Sequence, residues 1–118
     1  MADVPFVVRE QNGVVVFGIR GYFTGKVGEA LKLSVEDHLK TSHDRFIFDF
    51  SACDTVNSPG ITMLFEISIR ITEEMMGTLV FCAVSPLLVE VFTMAGVFPM
   101  AGQASDLASA FSLTGKRT

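Results

Sequence analysis

The stretch Phe46-Ile47-Phe48-Asp49-Phe50-Ser51-Ala52-Cys53-Asp54-Thr55-Val56-Asn57-Ser58-Pro59-Gly60 decides the architecture. Phe46 to Phe50 place four large apolar side chains on both faces of an extended chain, which predicts a strand buried on each side. Asp49 is the one charge within that run, so it stands near the strand's carboxyl end or faces a cleft. Ser51 to Asn57 reads as a loop. Ser58-Pro59-Gly60 then opens a helix, because proline is tolerated in a first helical turn. A doubly buried strand that hands over to a helix is the repeating unit of a parallel sheet covered by helices.

Toward the C-terminus the same alternation continues. The helix that starts at Ser58 runs to about Met76, with Gly77 placed as a left-handed terminator. Thr62, Glu66, Arg70 and Glu73 or Glu74 form its polar stripe. Ile61, Leu64, Ile67, Ser68, Ile71 and Met75 form its buried side. Thr78 to Ala83 is a second buried strand, and Ser85-Pro86 opens a helix that continues to Ala95 and ends at Gly96. Val97 to Met100 reads as a short edge strand, and Asp106 to Leu113 as a last helix capped by Ser105. Gly115 to Thr118 should fray.

Toward the N-terminus, Val4 to Glu10 and Val14 to Ile19 are β-branched runs on either side of Gln11-Asn12-Gly13. Asn-Gly accepts two positive φ angles, so the pair predicts a hairpin. Gly21 should break the second strand, leaving Tyr22 to Lys26 as a loop. Val27, Leu31, Val35 and Leu39 then recur every four residues between charged neighbours, which is one apolar stripe on a solvated helix. The order is ββαβαβαβα. It predicts an α/β fold: a mixed, mostly parallel sheet with an N-terminal hairpin and right-handed crossovers that pack helices against it.

Composition narrows the function classes. The chain has 118 residues, 49% hydrophobic and 19% charged, which is the reverse of a disordered segment. One domain over residues 1–118 can bury roughly two-thirds of its extended surface. Thirteen acidic against nine basic residues give a net charge of −4, without the basic excess that nucleic acid requires. Glu66, Arg70, Glu73, Glu74 and Glu90 interrupt the oily segments, so no membrane insertion is expected. Met1-Ala2-Asp3-Val4-Pro5 has neither the basic flank nor the apolar stretch of a secretory signal. Cys53 and Cys82 lie in strand-like surroundings outside any CxxC, which suits reduced thiols in a cytoplasmic protein. His38 and His43 sit at a helix end, and no metal set is spaced around them. No nucleophile elbow, zinc-protease motif or phosphate loop occurs, Glu73-Glu74 lies on a solvated face, and His43-Asp44 has no activated serine beside it. The chain does not read as an enzyme, and no cofactor is implied.

Two features stand out. Ser58 before Pro59 is either a helix N-cap or a modifiable hydroxyl at a helix start, where amides and the dipole tolerate a phosphate. The segment Leu87 to Met94 has only two polar side chains in eight. With Leu88, Val91, Phe92 and Ala95 as its buried face, Leu87, Val89 and Met94 lie partly outside it, either as scattered surface apolars or as a docking patch.

Phe46-Ile47-Phe48-Asp49-Phe50-Ser51, Val56-Asn57-Ser58-Pro59-Gly60-Ile61, Phe81-Cys82-Ala83-Val84-Ser85-Pro86 and Val91-Phe92-Thr93-Met94-Ala95-Gly96-Val97-Phe98, in this order, resemble the STAS domain of bacterial anti-sigma factor antagonists. The resemblance covers almost the whole chain. It implies a partner switch: the unmodified antagonist binds an anti-sigma factor that is also a serine kinase and so frees the sigma factor. Phosphorylation ends the binding, and a phosphatase restores it. The resemblance carries the phosphorylated serine to Ser58, in an Asp-Ser-x-Gly motif whose glycine is Gly60. Asn57 stands where the motif has Asp, and Pro59 follows the serine. Thr24 stands where the family's Gly-x-Leu-Asp has its acid, and Asp49 matches the residue that usually ends the third strand. The switch site expected on this basis is Ser58 with Thr24, Asp49, Asn57, Pro59, Gly60 and Thr62. The partner surface adds Ile61, Leu87, Val89 and Met94. A monomer or weak dimer fits the acidic, compact chain. The competing readings are an unphosphorylated STAS adaptor on a transporter ATPase or signalling scaffold, favoured by Asn57 and Thr24, and small-ligand binding beside Asp49 and Ser58.

Overall fold

A computed structural model describes residues 5–115. Val4, where the first strand was expected to begin, the Met1 to Val4 opening and residues 116–118 lie outside the described residues. Phe6–Gln11 (β1) and Val14–Phe23 (β2) pair antiparallel from Phe6↔Ile19 to Gln11↔Val14. Asn12 and Gly13 turn between them at φ +54 and +80, the two positive angles that Asn-Gly was expected to supply. Gly25–Leu39 (α1), Arg45–Val56 (β3), Ser58–Ile69 (α2), Thr78–Cys82 (β4), Pro86–Met94 (α3), Gly102–Ala104 (β5) and Leu107–Gly115 (α4) follow. The sheet order is β1-β2-β3-β4-β5, and every pair after the first is parallel. The ββαβαβαβα order is the one observed.

Period-two alternation sorts the strand residues onto two faces. Val15, Phe17, Ile19, Phe46, Phe48, Phe50, Leu79 and Phe81 meet α1, α2 and α3 through Leu31, Val35, Leu64, Ile67, Leu88 and Phe92. Val14, Val16, Ile47, Val80 and Cys82 meet α4 through Ala110, Leu107 and Phe111. The first face holds a chain of ring contacts, with Phe81 touching Phe48, Phe50, Phe92 and Phe98 at centroid separations of 5.1–5.6 Å. Such pairs add specificity beyond the area they bury.

Several expected boundaries are corrected. Gly21 does not end β2. It is a bend at φ +70 inside a strand that continues to Phe23. Ser51 to Asn57 is not a loop, because β3 runs on to Val56 and pairs Ala52, Cys53, Thr55 and Val56 with β2 across two register shifts. The partner strand supplies hydrogen bonds that no local signal reveals. The Ser58 helix gives way at Arg70 to a π-helical turn, Arg70–Glu74. The left-handed residue after it is Met76 at φ +58, not Gly77. Gly77 is needed for closeness instead: a Cβ there would stand 2.5 Å from the Asp44 carbonyl oxygen. Met75, expected on the buried side, is exposed at the cap position that follows the π-helical turn. Val97 to Met100 forms turns around a cis Phe98–Pro99 bond, and the edge strand is Gly102–Ala104. Asp106, not Ser105, caps the last helix, its Oδ1 accepting the Ser109 N–H at 2.8 Å.

Candidate functional site

The register that carries β2 and β3 past their neighbours also builds the site. The β1 ladder stops at Ile19 and the β4 ladder at Asp49, while β2 and β3 remain paired as far as Phe23↔Val56. The Asn57 N–H then donates to the Phe23 carbonyl at 3.1 Å, so the chains entering α1 and α2 are tied together at the tip. Both helices start there. Thr24 caps α1, its Oγ1 accepting the Val27 N–H at 3.3 Å. Asn57 caps α2, its Oδ1 accepting the Gly60 N–H at 2.8 Å. The expectation that Ser58 is the N-cap is therefore corrected. Asn57 holds the extended cap conformation, and Ser58 is the first helical residue.

The consequence is chemical. The helix is closed by the asparagine amide, so the Ser58 hydroxyl is not needed to cap it, and both Ser58 and Pro59 are exposed. Thr62 Oγ1 donates back to the Ser58 carbonyl at 3.2 Å. Gly25 lies so near Pro59 that a Cβ on it would come within 2.8 Å of the proline Cβ. Ile61 is half-buried against the main core. Thr24, Asn57, Ser58, Pro59, Gly60, Ile61 and Thr62 are thus gathered at one corner. Neither helix has an acidic residue in its first turn.

Asp49 does not join them. It lies in mid-β3, opposite Gly18 and Cys82 and on the α4 face, with Oδ1 accepting the Ser51 N–H at 2.9 Å where the β4 ladder stops. Val56 stands seven positions further along the strand, on the order of 20 Å at roughly 3.3 Å each. Its neighbour there is the Cys82 thiol. Burial first, then the Asp49 and Asp106 carboxylates, push that thiol up to about 12. Cys53, buried beneath the tip of the ribbon, is also raised by burial.

The α3 residues divide. Leu87 is 67% exposed and Met94 87% exposed. They stand seven positions apart, two turns along one side of the helix. Val89 points elsewhere and lines a cleft of about 300 Å³ with Phe81, Val84, Gln103, Ala104 and Ser105. The three do not form one patch. Tyr22, 53% exposed on the projecting end of β2 beside Thr24, is an aromatic the sequence reading passed over as loop. Only the register of β3 shows that it stands on a strand.

Around His43 the geometry is structural. Its Nε2 lies 3.1 Å from Glu10 Oε1 and its Nδ1 3.0 Å from Thr41 Oγ1, which ties the loop after α1 to β1. Among the described residues no group of three His, Cys, Asp or Glu side chains is placed to hold a metal, and no helix is long and apolar enough to cross a membrane.

No curated protein matches this sequence. Among solved structures, the anti-sigma factor antagonist SpoIIAA in its unphosphorylated form is 16% identical, with a TM-score of 0.76 over 95% of this chain and 99% of that one. The phosphorylated form of the Bacillus protein gives 17% and 0.71 over 92% and 98%. RsbS of Moorella thermoacetica, solved as a variant, is 17% identical with a TM-score of 0.80 over 95% and 96%. A sulfate transporter family protein of Wolinella succinogenes is 21% identical with a TM-score of 0.76 over 89% and 87%. At these identities the likeness is one of fold. The family profile that matches residues 5–110 is that of the STAS domain, and with most of its length inside that match the chain belongs to the STAS domain family.

Proposed function

We propose that the chain is an anti-sigma factor antagonist in a phosphorylation-controlled partner switch: unmodified, it binds an anti-sigma factor kinase and releases the sigma factor, and phosphorylation on Ser58 ends the binding. The observation that carries this reading is the exposed Ser58 at the first position of α2, beside a cap that Asn57 closes without it. A phosphoryl group there adds about −1.5 to −2 charges. Two adjacent helix starts without an acidic residue in their first turns tolerate such a group. The dianion costs desolvation and repulsion against an apolar or acidic partner surface, and each ~1.4 kcal/mol weakens binding tenfold.

Incubation with the host's kinase-type anti-sigma factors and ATP, followed by intact-mass and peptide mapping, tests the reading. The expected result is one phosphoryl group on Ser58. Ser58→Ala keeps the partner, and Ser58→Asp binds it at least about tenfold more weakly. Equal affinities for the two variants would count against the switch. The second reading, an unphosphorylated adaptor, draws on the exposed Leu87 and Met94 of α3 as a standing apolar interface. It expects salt-insensitive co-purification with an ATPase and no mass shift.

A further inference from the structure

Helices α1 and α2 touch at their N-terminal ends. A Cβ on Gly28 would fall 2.5 Å from the Met63 Cβ, a closeness only glycine allows. Beyond that contact the space between the helices opens into a groove made of two adjoining clefts, of about 460 and about 240 Å³, that share Lys32 and Glu66. We propose that this groove is a second docking surface, separate from the serine, and that it receives an amphipathic helix of a partner protein with apolar side chains on one face and Lys or Arg along its flanks.

The apolar lining comes from Leu33, Met63 and Ile69. Leu33 is 69% exposed, off the stripe that α1 buries, and nothing in the fold uses it. Methionine beside it supplies an adaptable contact. The rim decides the sign of the partner. Four carboxylates, on Glu29, Glu36, Glu66 and Glu74, face two cations, which leaves a charge of −2. Both cations are already engaged: Lys32 lies 3.6 Å from Glu66, and Arg70 holds Glu36 and Glu74. Glu29 makes no ion pair among the described residues. An apolar centre inside a charged rim is the anatomy of a protein interface. A rim whose own cations are spent attracts a basic partner and repels an acidic one. From Glu29 to Glu36 the wall runs seven residues, about 10 Å, which matches two turns of a helix laid along it.

The test is binding of a fluorescent synthetic peptide of about four helical turns, with Leu on one face and Lys on the other. Anisotropy and backbone amide shifts are the readouts. Saturable binding is expected, with shifts in Glu29 to Glu36 and Met63 to Glu74. Affinity falls at high salt, about tenfold or more on Leu33→Ser, and severalfold on Glu29→Lys. Leu33 is solvent-facing, so the variant's circular dichroism stays that of the parent. Leu87→Ser and Ser58→Ala retain binding, and the Ser58 result separates failure of this proposal from failure of the switch. Absence of binding, equal affinity for a peptide with Glu in place of Lys, or shifts centred on Leu87 and Met94 would each overturn it.

Discussion

Asn57 closes α2 without the hydroxyl of the serine that follows it. Its amide oxygen satisfies the Gly60 N–H, and its own N–H is satisfied by Phe23, so the cap does not need the adjoining hydroxyl. Asn57→Ala is expected to lower stability by about 1 kcal/mol in urea unfolding, the usual loss for an N-cap. Asn57→Asp keeps a capping oxygen and should stay within a few tenths of the parent. If Asn57→Ala unfolds at the parent's urea midpoint, the cap is not what holds this helix start. The Ser58-Pro59-Gly60 run was legible as a helix start, but that the cap falls on Asn57 before it was not. Both are good cap formers, and the choice rests on a bond to Phe23, thirty-four positions upstream. Gly77 shows the same limit: a glycine after a helix reads as a left-handed terminator, whereas here it is kept by the nearness of Asp44.

A side-chain clamp joins α1 to the end of α2. Where α2 widens into its π-helical turn, Arg70 reaches α1 and donates two hydrogen bonds to Glu36, at 2.7 and 3.0 Å, and a third to Glu74 at 3.3 Å. Those bonds hold the Glu36 carboxyl below the usual carboxylate range. The folded state then binds fewer protons than the unfolded state in the window between the lowered pKa and the ordinary one. The clamp's contribution is fully present above the ordinary pKa and is lost as the pH falls through the lowered one. The Tm of the parent should therefore exceed that of Glu36→Gln at neutral pH, with the gap narrowing below about pH 4. A gap that stays constant with pH would place the loss in packing instead. The apolar stripe of α1 was legible from its four-residue spacing. The clamp and the π-turn were not, since both depend on how two helices approach each other.

At the scale of the whole molecule, the two faces of the sheet share out the chain's chemistry. The Ser58 corner lies at the tip of the β2–β3 ribbon, between α1 and α2. Asp49 and Cys82 lie on the opposite face under α4, which is why a residue matching the family's pattern takes no part in the corner. Burial pushes the Cys82 thiol up to about 12 and raises that of Cys53 too, so both disfavour the reactive thiolate. Both are buried. A disulfide-exchange reagent should modify them at the rate of unfolding, with labelling appearing across the same urea range as loss of tertiary signal. Labelling of Cys82 within seconds in the native protein would show that the α4 face opens on its own.

The sequence by itself determined the element types, their order, the parallel sheet with its leading hairpin and the position of Ser58 at a helix start. Those follow from periodicity and turn chemistry within a few residues. The tertiary structure alone decided how far β2 and β3 run on together, which residue caps α2, where Asp49 faces and that Val89 parts from Leu87 and Met94. Each of these depends on a partner strand or helix distant in the chain, whose hydrogen bonds and close contacts outweigh the local signals of glycine, serine and proline.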